Sequence, residues 1–407
     1  MKTFSYISFF LFSFFYLTTA STIALPFSTT LRWVGSFLLV ACFLVKMSIT
    51  NKTLSINVPS QYKYIFIALV PTLLGVGGVA IFYGYARIIS FFLVVFGLQL
   101  FLDMDIFSRK NIILLLDIYT ILSGFMMILS AFSNRYVQGR LAGVYANANQ
   151  LSCIAAATII FALCMFFLKK GRLIRWLYLG IVIVSCYCAF ETGSRMGAAC
   201  TVLIILFIPF AGVEASSQTR LKQVAMIVMG FIILFLLLNF FDVPGLQRLF
   251  DTTTNDNSTG FTREGTWKDV YEIFAEKPLF GWGYGQVSYQ TFEEATTSYN
   301  WGVHSSYFVI LCEMGIFGTL LFAAFFVSYF LYIKKLIKSS ALTSIERTFV
   351  KFLLLACFIM LITAYAESYL FSLGNPMTLG FWIPFVMLSS FLNKEKSKGL
   401  GGKADII

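Results

Sequence analysis

The sequence predicts an all-α polytopic membrane protein, with about twelve transmembrane helices at ~20 residues per crossing and one long extracytoplasmic loop containing a short amphipathic helix. Three observations predict it. Of 407 residues, 58% are hydrophobic and only 12% charged, about half the ~25% charge of a soluble domain. The 46 phenylalanines add apolar surface that so few charges cannot cover in water, which excludes a cytosolic enzyme and a disordered tail. Third, the basic residues gather in short breaks between long apolar runs. A net charge of +11 would suit a nucleic-acid binder if it formed a patch, but these residues are too few and scattered, so no nucleic-acid partner is expected.

The apolar runs in chain order are 4–20, 31–48, 64–83, 86–103, 111–131, 148–168, 174–190, 196–212, 222–241, 305–333, 349–370 and 376–392. They divide the chain into helices within 1–241, an extracytoplasmic loop 242–303, further helices within 304–392 and a basic cytoplasmic tail 393–407. The first run, with Lys2 and small residues at Thr18–Ser21, is read as a retained helix, a cleaved signal peptide being the alternative. Run 305–333 is too long for one straight crossing and predicts a break near Gly315–Gly318. No internal repeat is visible.

Orientation follows from Lys and Arg. With both termini in the cytoplasm, that side holds most of the 30 basic residues, including Lys46, Lys52, Lys63, Arg109, Lys110, Lys169, Lys170, Arg172, Arg175, Arg220, Lys222, Lys334, Lys335, Lys338, Arg347 and Lys351. The outer face receives Arg32, Arg87, Arg135, Arg140, Arg195, Arg248, Arg263, Lys268 and Lys277. Cytoplasmic Lys is what topology requires. Outer Arg differs, because its planar fork suits bidentate recognition of phosphate or carboxylate. The alternatives are pairing with Glu191, Glu313 or Glu367, or snorkelling. The 8 cysteines form no CxxC pair and the chain has 1 histidine, so neither a disulfide framework nor a metal site is expected.

In the long loop, Asp251–Ser258 reads as solvated, and a helix follows from Thr262 as N-cap to a stop before Pro278. At ~100° per residue, Trp267, Val270 and Phe274 fall within about 40° of Arg263, which places a charge in the apolar stripe. Arg263 either snorkels or points into a cleft that needs an anion. The run Pro278–Gly285 is a glycine-aromatic turn; its Trp282 suits close packing, sugar stacking or an interfacial anchor. His304 begins the next apolar run, where a helix N-terminus disfavours the imidazolium and leaves a neutral ring able to accept a proton near neutral pH. A satisfied interfacial histidine is the alternative. Glu313 lies about 180° around a straight helix from His304, so its role is structural unless the helix breaks. Glu191–Gly197 is a tight turn that holds Arg195 at the outer membrane edge, unless Glu191 and Arg195 pair locally. Arg140–Asn149 precedes the 148–168 run, with Asn147 and Asn149 as cap candidates.

These four stretches, in this order, resemble the O-antigen ligase/polymerase superfamily of bacterial surface-polysaccharide membrane glycosyltransferases. The matching pieces are Arg140–Gly143 with Asn147 and Asn149; Thr192-Gly-Ser-Arg195; Arg263 with Trp267 and Pro278…Gly281-Trp282-Gly283; and His304-Ser305 with Glu313 and Gly315. The resemblance covers roughly 135–320, the flanking runs matching only as hydrophobic helices. Ser305 stands where the family often has Asn, and the spacing after Gly315 is only approximate. The resemblance implies glycosyl transfer at the outer face of the bacterial cytoplasmic membrane, from a glycan on undecaprenyl or a similar polyprenyl diphosphate to a lipid-linked or lipid-core acceptor. It implies that Arg195 and Arg263 hold the diphosphate and that His304 orients or deprotonates the acceptor hydroxyl. Arg140, Asn147, Asn149 and Trp282 are the implied substrate-binding residues. Transfer would be inverting and metal-independent, with no cofactor. A repeat-unit polymerase is narrowly preferred to a ligase or a protein O-oligosaccharyltransferase. A transporter of lipid-linked glycans is the rival from another class; it would need mid-membrane charges and repeats, and Asp117 is the clearest acid within a run.

Overall fold

The computed structural model describes residues 1–19, 21, 28–50, 59–76, 81–211, 225, 229, 263–287, 305–371 and 374–394. Helices α1 (Lys2–Thr18), α2 (Ser28–Thr50) and α3 (Lys63–Leu73) come first, with a 3₁₀ turn over Ser60–Tyr62 leading into α3. Next are α4 (Ile81–Phe91) and α5 (Gly97–Asp103), joined without interruption by a π-helical stretch Phe92–Phe96, and then α6 (Arg109–Phe132). A two-stranded hairpin, β1 (Tyr136–Val137) and β2 (Arg140–Leu141), leads into α7 (Ala148–Leu168), α8 (Arg172–Glu191) and α9 (Arg195–Ala211). The loop helix is α10 (Arg263–Glu276), followed by α11 (Ser306–Ser339), α12 (Ser344–Thr363) and α13 (Met377–Asn393).

The centre of the bundle is made by α7 and α13, which are apolar on every side and buried along almost their whole length, as expected of helices that meet protein all round. Small residues permit that closeness. A methyl added at Gly380 would lie 3.1 Å from Ala157 Cβ and 3.0 Å from Met360 Cε, so α13 is pressed against both α7 and α12. Outer helices show the opposite pattern, with Phe37 and Leu44 of α2 and Ile183 of α8 exposed on the side that lipid would cover.

Six helices among the described residues are long and apolar enough to cross a membrane: Thr30–Ile49, Gly84–Asp103, Arg109–Phe132, Ala148–Leu168, Arg172–Glu191 and Ser306–Ser339. Arg195–Phe210 and Met377–Asn393 are shorter apolar helices. The protein is therefore a helical membrane protein, but the expected twelve crossings are not all present at that length. Most of the run 222–241, the Asp251–Ser258 stretch and most of the basic tail lie outside the described residues. The run 64–83 falls short for a visible reason. Although Pro71 sits inside it, the helix is ended by a glycine C-cap after Leu73: Gly75 takes φ +76°, Val76 N–H donates to Pro71 O and Gly75 N–H to Thr72 O, both at 3.0 Å. The expected loop helix and the expected break near Gly315 both occur.

The basic breaks assigned to one side meet at one end of the bundle. Arg109 pairs with Glu346 at 3.2 Å and donates to Phe391 O at 3.2 Å. Lys394 donates to the carbonyls of Asp103 (2.9 Å) and Met104 (2.8 Å), and Lys351 to that of Phe210 (3.0 Å). Asp117, the acid a transporter reading would need, is paired with Lys169 and accepts from the Tyr178 hydroxyl. It belongs to this basic end. Removing one member of a buried pair strands the other charge. Lys169→Ala is therefore expected to lower stability by about 3 kcal/mol, the low end for a buried pair, because the Lys169 side chain is 30% exposed. The double variant Lys169→Met/Asp117→Asn should recover most of the loss in a denaturation series in detergent.

Candidate functional site

The opposite end of the bundle is organised by a broken helix. Inside α11, Gly315 adopts φ 62°, ψ −167°, a region that only glycine occupies readily. The break leaves backbone groups on both sides without helical partners, and such groups must be satisfied inside a membrane protein. The turn Pro278–Gly283 satisfies them. Trp282 N–H donates to Cys312 O (3.0 Å) and Gly283 N–H to Glu313 O (2.8 Å); Ile316 and Phe317 N–H donate to Pro278 O (2.9 Å) and Leu279 O (3.1 Å). The strands of this splice pass at glycine distance. A methyl at Gly281 would sit 2.4 Å from Glu313 C, and one at Gly315 would sit 2.4 Å from Leu279 C.

Trp282 fastens the turn to the loop helix. Its indole N–H donates to Ile273 O at 2.9 Å, and Lys277 Nζ lies 3.8 Å from the ring centroid. Val270 and Ile273 of α10 pack with Val309 and Cys312 of α11, and Phe274 joins them. Of the roles open to Trp282, the structure displays close packing. Tyr284 extends the docking: its amide donates to Thr72 Oγ1 (2.9 Å) and its hydroxyl to Phe371 O (2.8 Å). Burial, reinforced by the Glu313 charge, holds that hydroxyl well above the usual tyrosine range. Beside it runs a narrow cleft lined by Arg87, Tyr284, Gly285, Ser306, Val309, Glu313, Ser368 and Phe371.

Ser306 ties the start of α11 to the segment between α12 and α13. Its amide donates to Ala364 O (2.9 Å) and Glu367 O (3.2 Å), and its hydroxyl donates to Glu367 O (2.7 Å). The same hydroxyl accepts from the amides of Tyr369 (3.0 Å) and Leu370 (3.1 Å). His304 itself lies outside the described residues, as do the side chains of Arg263 and Trp267. Arg263 is the first residue of α10.

Arg195 is the first residue of α9 and is exposed. The turn before it is tightly bound: Gly193 has φ +58° and donates to Phe190 O at 3.0 Å, and the Ser194 hydroxyl accepts from Gly197 N–H at 3.3 Å. Arg140 braces this turn, with Nε on Thr192 O (2.7 Å) and Nη2 on Asn149 Oδ1 (2.5 Å). Asn147 caps α7 by accepting from Gln150 N–H at 2.8 Å. Glu191 is buried and accepts from the Tyr136 hydroxyl at 3.3 Å. Burial and the neighbouring Glu191 push that phenol up to about 12, so it remains a donor at physiological pH. Arg140, Asn149 and Arg195 are thus gathered around one turn, while Asn147 caps the neighbouring α7. Trp282 stands with the helix splice instead.

Two cleft residues had no functional role in the sequence reading. Arg87 was only one of the outer basic residues, although an arginine within an otherwise apolar helix is itself a signal. Glu313 is structural only if its helix runs unbroken; the helix breaks at Gly315, and Glu313 is 2% exposed and lines the cleft. Among the described residues no group of three or more His, Cys, Asp or Glu could hold a metal ion.

The splice, the loop helix and the Arg195 turn fall within one stretch of chain, and that stretch is what comparison with known proteins picks out. Residues 180–323 match the O-antigen ligase family model. This supports the O-antigen ligase/polymerase superfamily that the motif order implied. The match takes in Arg195, Arg263, Trp282, His304, Glu313 and Gly315, and it leaves out Arg140, Asn147 and Asn149. A search of curated proteins finds no match.

Within the matched region, Gly281→Ala and Gly315→Ala are each expected to undock the turn. Limited proteolysis in lipid nanodiscs should then cut within 278–287, whereas Gly180→Ala, with nothing within 4 Å of the added methyl, should leave the pattern unchanged. Arg140→Ala is expected to cost about 1.5–3 kcal/mol, as for hydrogen bonds from a charged group, and Arg140→Lys should recover little of it. A lysine cannot reproduce the planar two-way contact; thermal unfolding of the purified protein checks both.

Proposed function

We propose that the protein is an integral-membrane glycosyltransferase of the O-antigen ligase/polymerase type, acting at the outer face of the bacterial cytoplasmic membrane in surface-polysaccharide biosynthesis. Its donor is a glycan on a polyprenyl diphosphate and its acceptor is a hydroxyl of a second lipid-linked glycan. The single observation that carries this reading is the O-antigen ligase match over a segment that holds outer arginines and the chain's 1 histidine. The positive-inside distribution of Lys and Arg supports the orientation, with both termini cytoplasmic.

In this reading Arg195 and Arg263 bind the donor diphosphate. His304 takes the proton of the acceptor hydroxyl as its oxygen attacks the anomeric carbon. The bond from that carbon to the diphosphate oxygen breaks, configuration inverts, and the polyprenyl diphosphate leaves. Arginines fixed beside the leaving oxygen stabilise the charge that develops there, the task a divalent cation performs elsewhere. Arg140 serves by holding the turn that presents Arg195, a positioning role that its hydrogen bonds support. Asn149, which accepts from Arg140, and Asn147, which caps α7, complete the proposed substrate-binding set. Repeat-unit polymerisation is the preferred form.

The test is reconstitution of the full-length protein with a polyprenyl-diphosphate oligosaccharide and candidate acceptors. His304→Ala and Arg263→Ala are each expected to lower transfer at least ~100-fold, the range for losing a general base or a charge-stabilising donor. Wild-type rates in both variants would overturn the site assignment. EDTA should leave the rate unchanged; loss of transfer restored by Mg²⁺ would overturn the arginine mechanism. Product lengthening on the polyprenyl carrier identifies a polymerase, and appearance of glycan on a lipid core identifies a ligase.

A further inference from the structure

We propose that the first turns of α8, at the basic end of the bundle, form a binding site for one anionic phospholipid. Arg172 and Arg175 take its headgroup phosphate, and Trp176, Gly180 and Ile183 run along its acyl chain. The site stands apart from the Arg195 turn and the Gly315 splice, and it does not depend on the transferase reading.

The residue types exceed what orientation requires. Orienting a chain in a membrane takes positive charge of either kind, and this end supplies it mostly as lysine. Arginine adds a planar fork that fits phosphate oxygens. Arg109 uses its fork within the fold, on Glu346 and Phe391 O. Arg172 and Arg175 do not. The stretch Lys169–Gly180 contains no acid, and Asp117 is taken by Lys169. Lys170, Arg172 and Arg175 are all exposed, and among the described residues none of the three forms an ion pair. Arg175 lies over the Phe166 ring, 4.4 Å from its centroid, which steadies the guanidinium while its in-plane N–H groups face away from the ring. Three cations within Lys170–Arg175 favour a headgroup of net negative charge. The ammonium of a zwitterionic lipid would meet repulsion there.

The surface around these cations is suited to lipid rather than to a soluble anion. Leu173 is 84% and Trp176 58% exposed, and an indole at this level sits between headgroup and hydrocarbon. At ~100° per residue, Trp176 and Ile183 fall within about 40° of Arg172, and Gly180 about 80° from it. Ile183 is exposed, whereas Tyr178, Ile181 and Ser185 on the opposite side are buried. A methyl added at Gly180 would meet nothing within 4 Å, so the open face is narrowed just where a chain descending from the arginines would pass. From Arg172 to Ile183 the helix rises about 17 Å, close to the ~15 Å of hydrocarbon in one leaflet. Charge, aromatic ring and apolar strip thus follow one another in the order of a phospholipid's own parts.

Native mass spectrometry of the full-length protein tests this, with phosphatidylglycerol titrated against phosphatidylcholine of the same acyl chains. Phosphatidylglycerol is expected to bind about tenfold or more tightly. The double variant Arg172→Gln/Arg175→Gln should lose that preference, weakening phosphatidylglycerol about tenfold or more. Lys334→Gln/Lys335→Gln removes the same charge from exposed positions on α11 and should change the affinity less than about twofold, because surface attraction fades within a Debye length. Where the glutamine variant fails to insert, Arg172→Lys/Arg175→Lys keeps the orienting charge and should still weaken binding about threefold, since lysine lacks the bidentate fork. Inorganic phosphate should not displace the lipid. Equal losses in the arginine and lysine double variants, equal retention of phosphatidylcholine, unchanged affinity in the Arg-to-Lys variant, or displacement by inorganic phosphate would each overturn the proposal.

Discussion

A helix broken inside a membrane protein must find partners for the amides and carbonyls that the break releases, because each one left in an apolar interior costs several kcal/mol. In this chain the break is at Gly315, and the partners come from Pro278–Gly283. Much of the outer end depends on that exchange. It fixes where the loop lies, which requires Gly281 and Gly315 to pass without side chains. It positions Trp282 to tie down α10 and Tyr284 to reach α3 and Phe371. It also places Glu313 on the wall of the cleft that Arg87 helps to line.

The outer end has a second anchored turn, and the two differ in kind. The turn before Arg195 is held by short-range hydrogen bonds and by Arg140 reaching across from the hairpin. A charged side chain spent on a backbone carbonyl and an amide oxygen stiffens the place from which a neighbouring charged residue reaches outward. The splice at Gly315 is instead held chiefly by backbone hydrogen bonds, with the Phe280 ring set edge-on against Phe317. Between them, Ser306 binds the start of α11 to the carbonyls of Ala364 and Glu367. The proposed chemistry therefore draws on elements far apart in sequence that are each locally rigid, which is what positioning a leaving group against an attacking hydroxyl requires.

Much of this was legible in the sequence where polarity marks a boundary. The run 148–168 coincides with α7 because Asn147 caps one end and Lys169 stands at the other. The break in the long run near Gly315 followed from length and glycine content. Run 64–83 is shorter as a helix than its hydropathy suggests, because hydropathy does not register that Gly75 caps a helix after Leu73. Arg140 was visible as an outer arginine, but its use as a brace depends on Thr192 and Asn149 arriving from other elements. Arg87 and Glu313 could not be paired at all from a single chain, since only packing brings α4 beside α11. Arg263 and His304 stand on sequence and family match.

In the proposed function, the splice between Pro278–Gly283 and Cys312–Phe317 is the fixed frame of the glycan-handling site. Amide hydrogen exchange of these two segments in lipid nanodiscs, with and without polyprenyl-diphosphate oligosaccharide, tests it most directly. Slow exchange is expected at Trp282, Gly283, Ile316 and Phe317 in the free protein, and slower exchange still when the lipid-linked glycan is bound. Exchange at these amides as fast as in an undocked loop, or the same with and without the glycan, would contradict it.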